Sequence, residues 1–245
     1  MHWDKPIQQA TFLRRYKRFL ADVQLADGTL RTVHCPNSGS MKGCQFPNHP
    51  CLISDSQNPK RKLRYTLEAI AGPHGGYIGV NTQRPNALIA EAITSGLLKL
   101  KGGSPTELKR EVPYGKERSR IDLLVQHAEG PQTWVEVKGV SLAEDGAWGL
   151  FPDAVTTRGQ KHLRELMDQV GRGDRAALVF AVMRDDVTRI SAHAGIDPNY
   201  AQLFDEALTC GVEMHAVRMQ ISSEGIEPSA LLPVHPTETV TRSTP

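Results

Sequence analysis

Residues 18–35 alternate apolar and polar side chains in two short runs, "RFLADVQL" and "TLRTVHC", divided by Ala26-Asp27-Gly28. Alternation with period two around an Asp-Gly turn predicts a β-hairpin within residues 11–35. "CPNSGSMKGC" (residues 35–44) is punctuated by Pro, Asn, Ser and Gly and reads as an ordered loop. "CLISDSQ" and "RKLRYTLEAIA" resume strand character, and "GPHGG" makes a tight turn. Several short strands close together predict a small closed β-barrel.

The period changes near Pro85. In "PNALIAEAITSGLL" the apolar positions Ala87, Leu88, Ala90, Ile93 and Leu97 fit one face of a helix, with Asn81 or Asn86 as its cap. Strand-like "ELKREVPYG", "RIDLLVQ" and "TWVEVKGVSL" follow, then a helix in "TRGQKHLRELMDQVGR" with Leu163, Leu166 and Val170 on one face. "RAALVFAVMR" is apolar throughout, as in a sheet covered on both sides. A helix in "NYAQLFDEALTCG" and a strand in "VEMHAVRMQI" complete the order α, β, β, β, α, β, α, β. That order predicts an α/β or α+β domain around a mixed sheet. The expected division is a barrel in residues 1–82, the mixed-sheet domain in 83–227, and a disordered tail from Pro228, rich in Pro, Thr and Ser.

Composition adds limits. The 245 residues, 39% hydrophobic and 23% charged, suit a soluble chain large enough for two cores. No apolar run approaches the ~20 residues that span a bilayer, and no apolar segment resembles a signal peptide. A cytoplasmic protein without membrane contact is expected. Four cysteines without regular spacing read as reduced thiols. A zinc site from Cys35, Cys44 and Cys51 with His34 or His49 lacks any CxxC pair to support it.

The net charge of +2 gives no global basic field, but its distribution is uneven. Arg14, Arg15, Lys17 and Arg18 surround Tyr16, and Lys60, Arg61, Lys62 and Arg64 run up to Tyr65. On a barrel, such groups suit base stacking beside a basic groove. The competing reading is a solvated strand edge that discourages aggregation. "CPNSGSMKG" offers backbone amides that could cradle a phosphate, or is a tight inter-strand loop. Arg84, at the entrance to the first helix, contacts phosphate or packs at the domain junction. Arg158, beside the start of the second helix, stabilises phosphate charge, or its segment serves only to cap that helix through Thr156 or Thr157. His162 reads as a surface helix residue.

The charges with the sharpest meaning lie inside strands. In Trp134–Lys138, Glu136 and Lys138 share one face while Val135 and Val137 take the other. Asp122 likewise faces away from Ile121, Leu123 and Val125. A short connection predicts antiparallel pairing, which gathers Asp122, Glu136 and Lys138 at one edge. Two carboxylates with the Val137 carbonyl suit a hard divalent cation, Mg²⁺ or Mn²⁺. Such a cation lowers the pKa of bound water and neutralises phosphate charge, while Lys138 orients water or contacts phosphate. The bland alternative is an exposed Lys–carboxylate pair.

"RID…EVKGV" resembles the PD-(D/E)xK nuclease core, which implies a helix acid, a strand Asp and a strand E-x-K around Mg²⁺. Glu91 matches the helix acid, as a further ligand or a support for one, and Gln160 or Lys161 is the candidate polar residue of the following helix. "CPNSGSM", "GVNTQRPN", "REVPYGKERSRIDLL", "WVEVKGVSL", "FPDAVTTRGQKHL" and the late D-P-x-Y together resemble the sugar fermentation stimulation protein A family over about residues 11–220. The resemblance implies an OB-like barrel joined to a nuclease-like domain, DNA binding without strong sequence preference, and a link to sugar (maltose) metabolism. The expected function is a DNA-binding protein with a Mg²⁺-dependent nuclease-type site, its deoxyribonuclease activity undecided; the alternative is a regulator that keeps the fold and cuts nothing. A homodimer is compatible with either.

Overall fold

The computed structural model describes residues 2–117, 119–144 and 147–237. The strands are β1 (Ile7–Tyr16), β2 (Leu20–Leu25), β3 (Leu30–His34), β4 (Pro50–Asp55), β5 (Tyr65–Ala71) and β6 (Tyr77–Gly79), followed by helix α1 (Pro85–Thr94). Then come β7 (Pro105–Tyr114), β8 (Ser119–His127), β9 (Thr133–Val140), β10 (Ala143–Glu144), β11 (Trp148–Phe151) and α2 (Thr157–Gly171). The chain continues through β12 (Arg175–Val182), β13 (Arg189–Ala192), α3 (Pro198–Thr209), β14 (Glu213–Ile221) and β15 (Ile226–Leu232).

The first sheet runs β3-β2-β1-β4-β5-β6, and a parallel β3–β5 pairing at His34 and Thr66 closes it into a five-strand barrel. Phe12, Val23, Val33, Ile53 and Leu67 fill it. Cys35, Cys44 and Cys51 are buried free thiols of this core, and burial pushes Cys51 up to about 12. The hairpin read from residues 18–35 is β2–β3, and its partner β1 was hidden in the basic segment before it. Lys17 and Arg18, both at positive φ, turn β1 into β2.

The larger sheet runs β15-β14-β12-β9-β8-β7, parallel across β9, β12 and β14 and antiparallel elsewhere. Its helix and strand order contains the expected one. One face packs on α1 and on the barrel residues Leu52 and Ala69; the other packs on α2 and α3. A small sheet, β10-β11-β13, is inserted beside it. The expected disorder from Pro228 is corrected: β15 carries Pro228 into the sheet opposite Met219 at a register shift. Beyond it, Ser191 Oγ donates to the His235 carbonyl at 2.9 Å, and the Thr237 amide donates to Asp205. Residues 238–245 lie outside the described residues. No helix among the described residues is long and apolar enough to cross a membrane.

Candidate active site

Strands β8 and β9 pair at Leu123↔Val135, Leu124↔Trp134 and Val125↔Thr133, and the ladder stops there. The next register step would set Asp122 opposite Glu136. Instead the strands part, and the Asp122 carboxylate takes over the missing hydrogen bond: Oδ2 accepts the Val137 amide at 2.7 Å. Its Oδ1 accepts from Asn86 Nδ2, at the start of α1, at 2.8 Å. Ile121, expected on the face of Leu123 and Val125, packs instead in the α2–α3 core beyond the point of parting. Leu123 and Val125 face α1 as expected.

Glu136 is only 2% exposed. Its Oε1 accepts from Lys138 Nζ at 2.6 Å and from His162 Nδ1 on α2. Its Oε2 is buried with no partner among the described residues. Burial raises Glu136, but Lys138 and His162 outweigh it, so the carboxyl sits below its ordinary value. Asp122 goes the other way. Burial and the neighbouring Glu136 charge lift it to about 6, against the Val137 amide, Lys138 and Asn86. The two carboxyls thus share a site that holds one negative charge more easily than two. Tyr114, stacked on Trp134, lies nearby, and its phenol is pushed up by burial and by Glu136, Glu165 and Asp122.

Asp122, Glu136, Lys138 and His162 line a cleft of about 420 Å³ between barrel and sheet. Asn37, Ser38 and Gly39 form its barrel wall, and Asn86, Asp122, Glu136, Val137, Lys138, Asp153, Arg158 and His162 line the other side. The wall is tied down. Arg15 donates to the Asn37 carbonyl at 2.7 Å and to that of Gly39 at 3.0 Å. The Ser40 amide and hydroxyl donate to Asp153 Oδ2 at 2.9 and 3.0 Å. The Gly39 amide binds Asn37 Oδ1 and the Ser40 amide binds Asp153 across the cleft, so these donors are engaged by the protein rather than forming a phosphate cradle. A Cβ on Gly39 would lie 2.7 Å from Asp153, which is why the close approach falls on glycine.

Asp122, Glu136, Val137 and Lys138 come together as read from the sequence. Glu91 does not line the cleft; Asn86, over one helical turn earlier on α1, does. Neither Asn81 nor Asn86 caps that helix: Arg84 occupies the cap without a side-chain bond. Gln160 does not face the cleft either, since its amide binds Asp197 at 2.9 Å, and Lys161 donates to the Glu117 carbonyl. The reading of His162 as a surface residue is overturned, because it is buried against Glu136. Thr156 caps α2, its hydroxyl accepting the Gly159 amide at 3.0 Å. Among the described residues no three His, Cys, Asp or Glu side chains gather as metal ligands. A cation here would rest on two carboxylates, the Val137 carbonyl and water. The partnerless oxygen of Glu136 and the mutual repulsion of the pair fit that donor set.

The basic residues divide. Arg14 pairs with Asp22 at 2.8 Å and lies over Tyr16, whose hydroxyl also binds Asp22. Arg64 is held by two nitrogens on Asp55 and lies over Tyr65. Arg84 is buried against Glu68, Asp4 and Trp3, which is the junction role rather than the phosphate one. Lys17 and Arg18 are exposed at the β1–β2 turn, and Arg61 is half-buried close to His34. Partner positions Tyr16↔Leu20, Leu20↔His34 and His34↔Thr66 set both tyrosine clusters at one end of the barrel.

Comparison with known families matches residues 83–225 to the sugar fermentation stimulation protein RE domain and residues 13–80 to the SfsA N-terminal OB domain. The chain belongs to the sugar fermentation stimulation protein family. A sugar fermentation stimulation protein homolog from Teredinibacter turnerae is 53% identical over 234 residues, covering 96% of this chain and 99% of that one. Another from Saccharophagus degradans is 49% identical over 225 residues, covering 92% and 96%. Among solved structures, SfsA of Pyrococcus furiosus in complex with Ca²⁺ is 29% identical and superposes with a TM-score of 0.83 over 96% of this chain and 98% of that one. The OB barrel and mixed-sheet architecture is therefore that of SfsA.

Proposed function

We infer that this SfsA-family protein binds DNA, without strong sequence preference, and hydrolyses its phosphodiester backbone with Mg²⁺ or Mn²⁺ held by Asp122, Glu136 and the Val137 carbonyl. The observation that carries the reading is the buried, partnerless Oε2 of Glu136 beside Asp122 in the cleft. An isolated buried carboxylate oxygen is costly unless something binds it. The Ca²⁺ complex of the Pyrococcus furiosus relative supports a hard, oxygen-seeking cation. When bound, the cation supplies an activated water and charge neutralisation at the phosphate.

The chain's own groups do the rest. Lys138 is 14% exposed on its side chain and anchored on Glu136, so its ammonium is fixed where a phosphate or water enters. Arg158 lines the same cleft and offers guanidinium donors to the phosphate. Asp122 is fixed by two hydrogen bonds, so neither carboxylate must reorganise during the reaction. Lys17, Arg18 and Arg61, at the tyrosine end of the barrel, supply charge for the nucleic-acid backbone.

The test is nicking of supercoiled plasmid in Mg²⁺ or Mn²⁺. Glu136→Ala is expected to abolish nicking and retain DNA binding; cleavage undiminished in that variant would overturn the assignment. A second reading, a DNA-binding regulator that cuts nothing, is favoured by the absence of a third acidic or histidine ligand among the described residues. It predicts no nicking by the wild type and unchanged DNA affinity in Glu136→Ala. In that reading the sugar link in the relatives' names belongs to DNA binding alone. A homodimer suits either reading.

A further inference from the structure

His162 has three neighbours that bear on where its proton lies: Arg158, Glu136 and Lys138, whose Nζ is 3.3 Å from Nδ1 and shares the acceptor Glu136 Oε1 with it. Arg158 Nε donates to His162 Nε2 at 3.4 Å. A guanidinium has donors and no acceptor, so Nε2 must accept. The proton is then on Nδ1, where His162 meets Glu136 Oε1. Two acceptors could not approach there without a proton between them. The ring is 4% exposed and sits on α2, one turn beyond Arg158, so its orientation is set by packing as well as by hydrogen bonds.

The consequence falls on Glu136. Both donors that reach it, Lys138 Nζ and His162 Nδ1, converge on Oε1, and neither reaches Oε2. We propose that His162 is a positioning residue: it saturates Oε1, which commits Oε2 of Glu136 to the divalent cation, and Arg158 selects the tautomer that makes this possible. The chain Arg158–His162–Glu136 links the guanidinium offered to phosphate with the carboxylate offered to metal. Donation from outside onto a ligating group fixes its orientation, and its loss weakens metal affinity by about 10–100-fold.

The proposal rests on a cation at Asp122 and Glu136, so the experiment separates the two claims. Mn²⁺ binding to the full-length protein is measured by electron paramagnetic resonance for the wild type, Glu136→Gln, His162→Phe and His162→Asn. Asparagine keeps a donor near the Nδ1 position; phenylalanine keeps the ring shape without one. The expected result is strong loss in Glu136→Gln, a Kd raised about 10–100-fold in His162→Phe, and near wild-type binding in His162→Asn. If Glu136→Gln binds as the wild type does, or the wild type does not bind, the cation site itself is wrong. If Glu136→Gln loses binding while His162→Phe keeps it, the cation site stands and the role of His162 falls. Should His162→Phe fail to fold, His162→Asn compared with His162→Gln, whose donor reaches the Nε2 position instead, makes the same distinction. Imidazole ¹⁵N spectra add a readout that mere packing would not move. They should show the Nδ1-protonated ring in the wild type and a changed pattern in Arg158→Ala; an Nε2-protonated wild type overturns the tautomer and the proposal with it.

Discussion

At the scale of single residues, a charge inside a strand is informative only when its surroundings say what it is for. Asp122, Glu136 and Lys138 were legible because each interrupts an apolar strand at a position whose face is fixed by alternation. His162 was not legible. The sequence of α2 is polar around Leu163 and Leu166, and nothing in it marks which polar residue turns inward. Arg84 shows the converse. It looks like a phosphate contact, yet its guanidinium binds Glu68 at 2.9 Å, and the Glu68 side chain is 1% exposed. Ser54 and Asn81 also donate to Glu68. Removing one partner of a buried ion pair leaves an uncompensated charge and costs about 3–5 kcal/mol. Arg84→Ala is therefore expected to lose about that much stability in urea unfolding, while its DNA affinity, measured at a temperature where it stays folded, stays near wild type. Unchanged stability with weakened DNA binding would restore Arg84 to the interface.

At the scale of elements, α2 and α3 are fastened to each other through Asp197. Its carboxylate accepts the Tyr200 amide at 2.9 Å as the cap of α3, the Thr156 amide at 2.8 Å at the cap of α2, and the Gln160 side chain. Asp197→Ala frees three donors at once and is expected to cost about 2–3 kcal/mol, seen as a melting temperature lower by about 4–12 °C. Burial works to raise the Asp197 pKa, but the Thr156, Tyr200 and Gln160 bonds prevail and hold it below the ordinary carboxylate value. The folded state therefore binds the proton less readily than the unfolded chain, and the stabilisation is present above the unfolded pKa of about 3.9. It fades as pH falls through the folded value. Compared with Asp197→Asn, which does not titrate, the wild type should hold its advantage at pH 6 and lose it progressively below pH 4. An advantage that grows in acid would contradict the assignment. The major elements were readable because their periods run for several residues. β1, masked by its basic residues, and the three-residue β6 escaped, and so did β15, which contains Pro228, and β10, β11 and β13, two to four residues long. Their pairing is decided by neighbours distant in the chain, such as Trp148↔Arg189, and a short local pattern carries no trace of it.

At the scale of the whole molecule, barrel and mixed sheet share one core. Leu52 and Ala69 of the barrel pack with Leu88, Ile89 and Ile93 of α1 and with Val135, Val137 and Val179 of the large sheet. Gly79 of β6 donates to the Met183 carbonyl at 2.7 Å, and a Cβ there would lie 2.7 Å from Met183 Cε and 2.9 Å from Ile221 Cδ1. Ser40 and Asp153 close the contact across the cleft. The two halves match separate family models, yet neither hides its apolar surface alone. Domains joined by small polar interfaces unfold independently, whereas a continuous apolar core couples them. The prediction is a single cooperative transition in urea, with slow-exchanging amides of β4–β5 and of β9–β12 losing protection at the same denaturant concentration in hydrogen-exchange mass spectrometry. Leu88→Ala, fully buried at the shared core, should destabilise by about 2–5 kcal/mol and move both sets of amides together. If the mutation shifts the sheet amides and leaves the barrel amides unmoved, the halves are independent. The cleft would then be a gap between two hinged bodies, and the spacing between its Asn37–Gly39 wall and the Asp122–Glu136 pair would no longer be fixed by the fold.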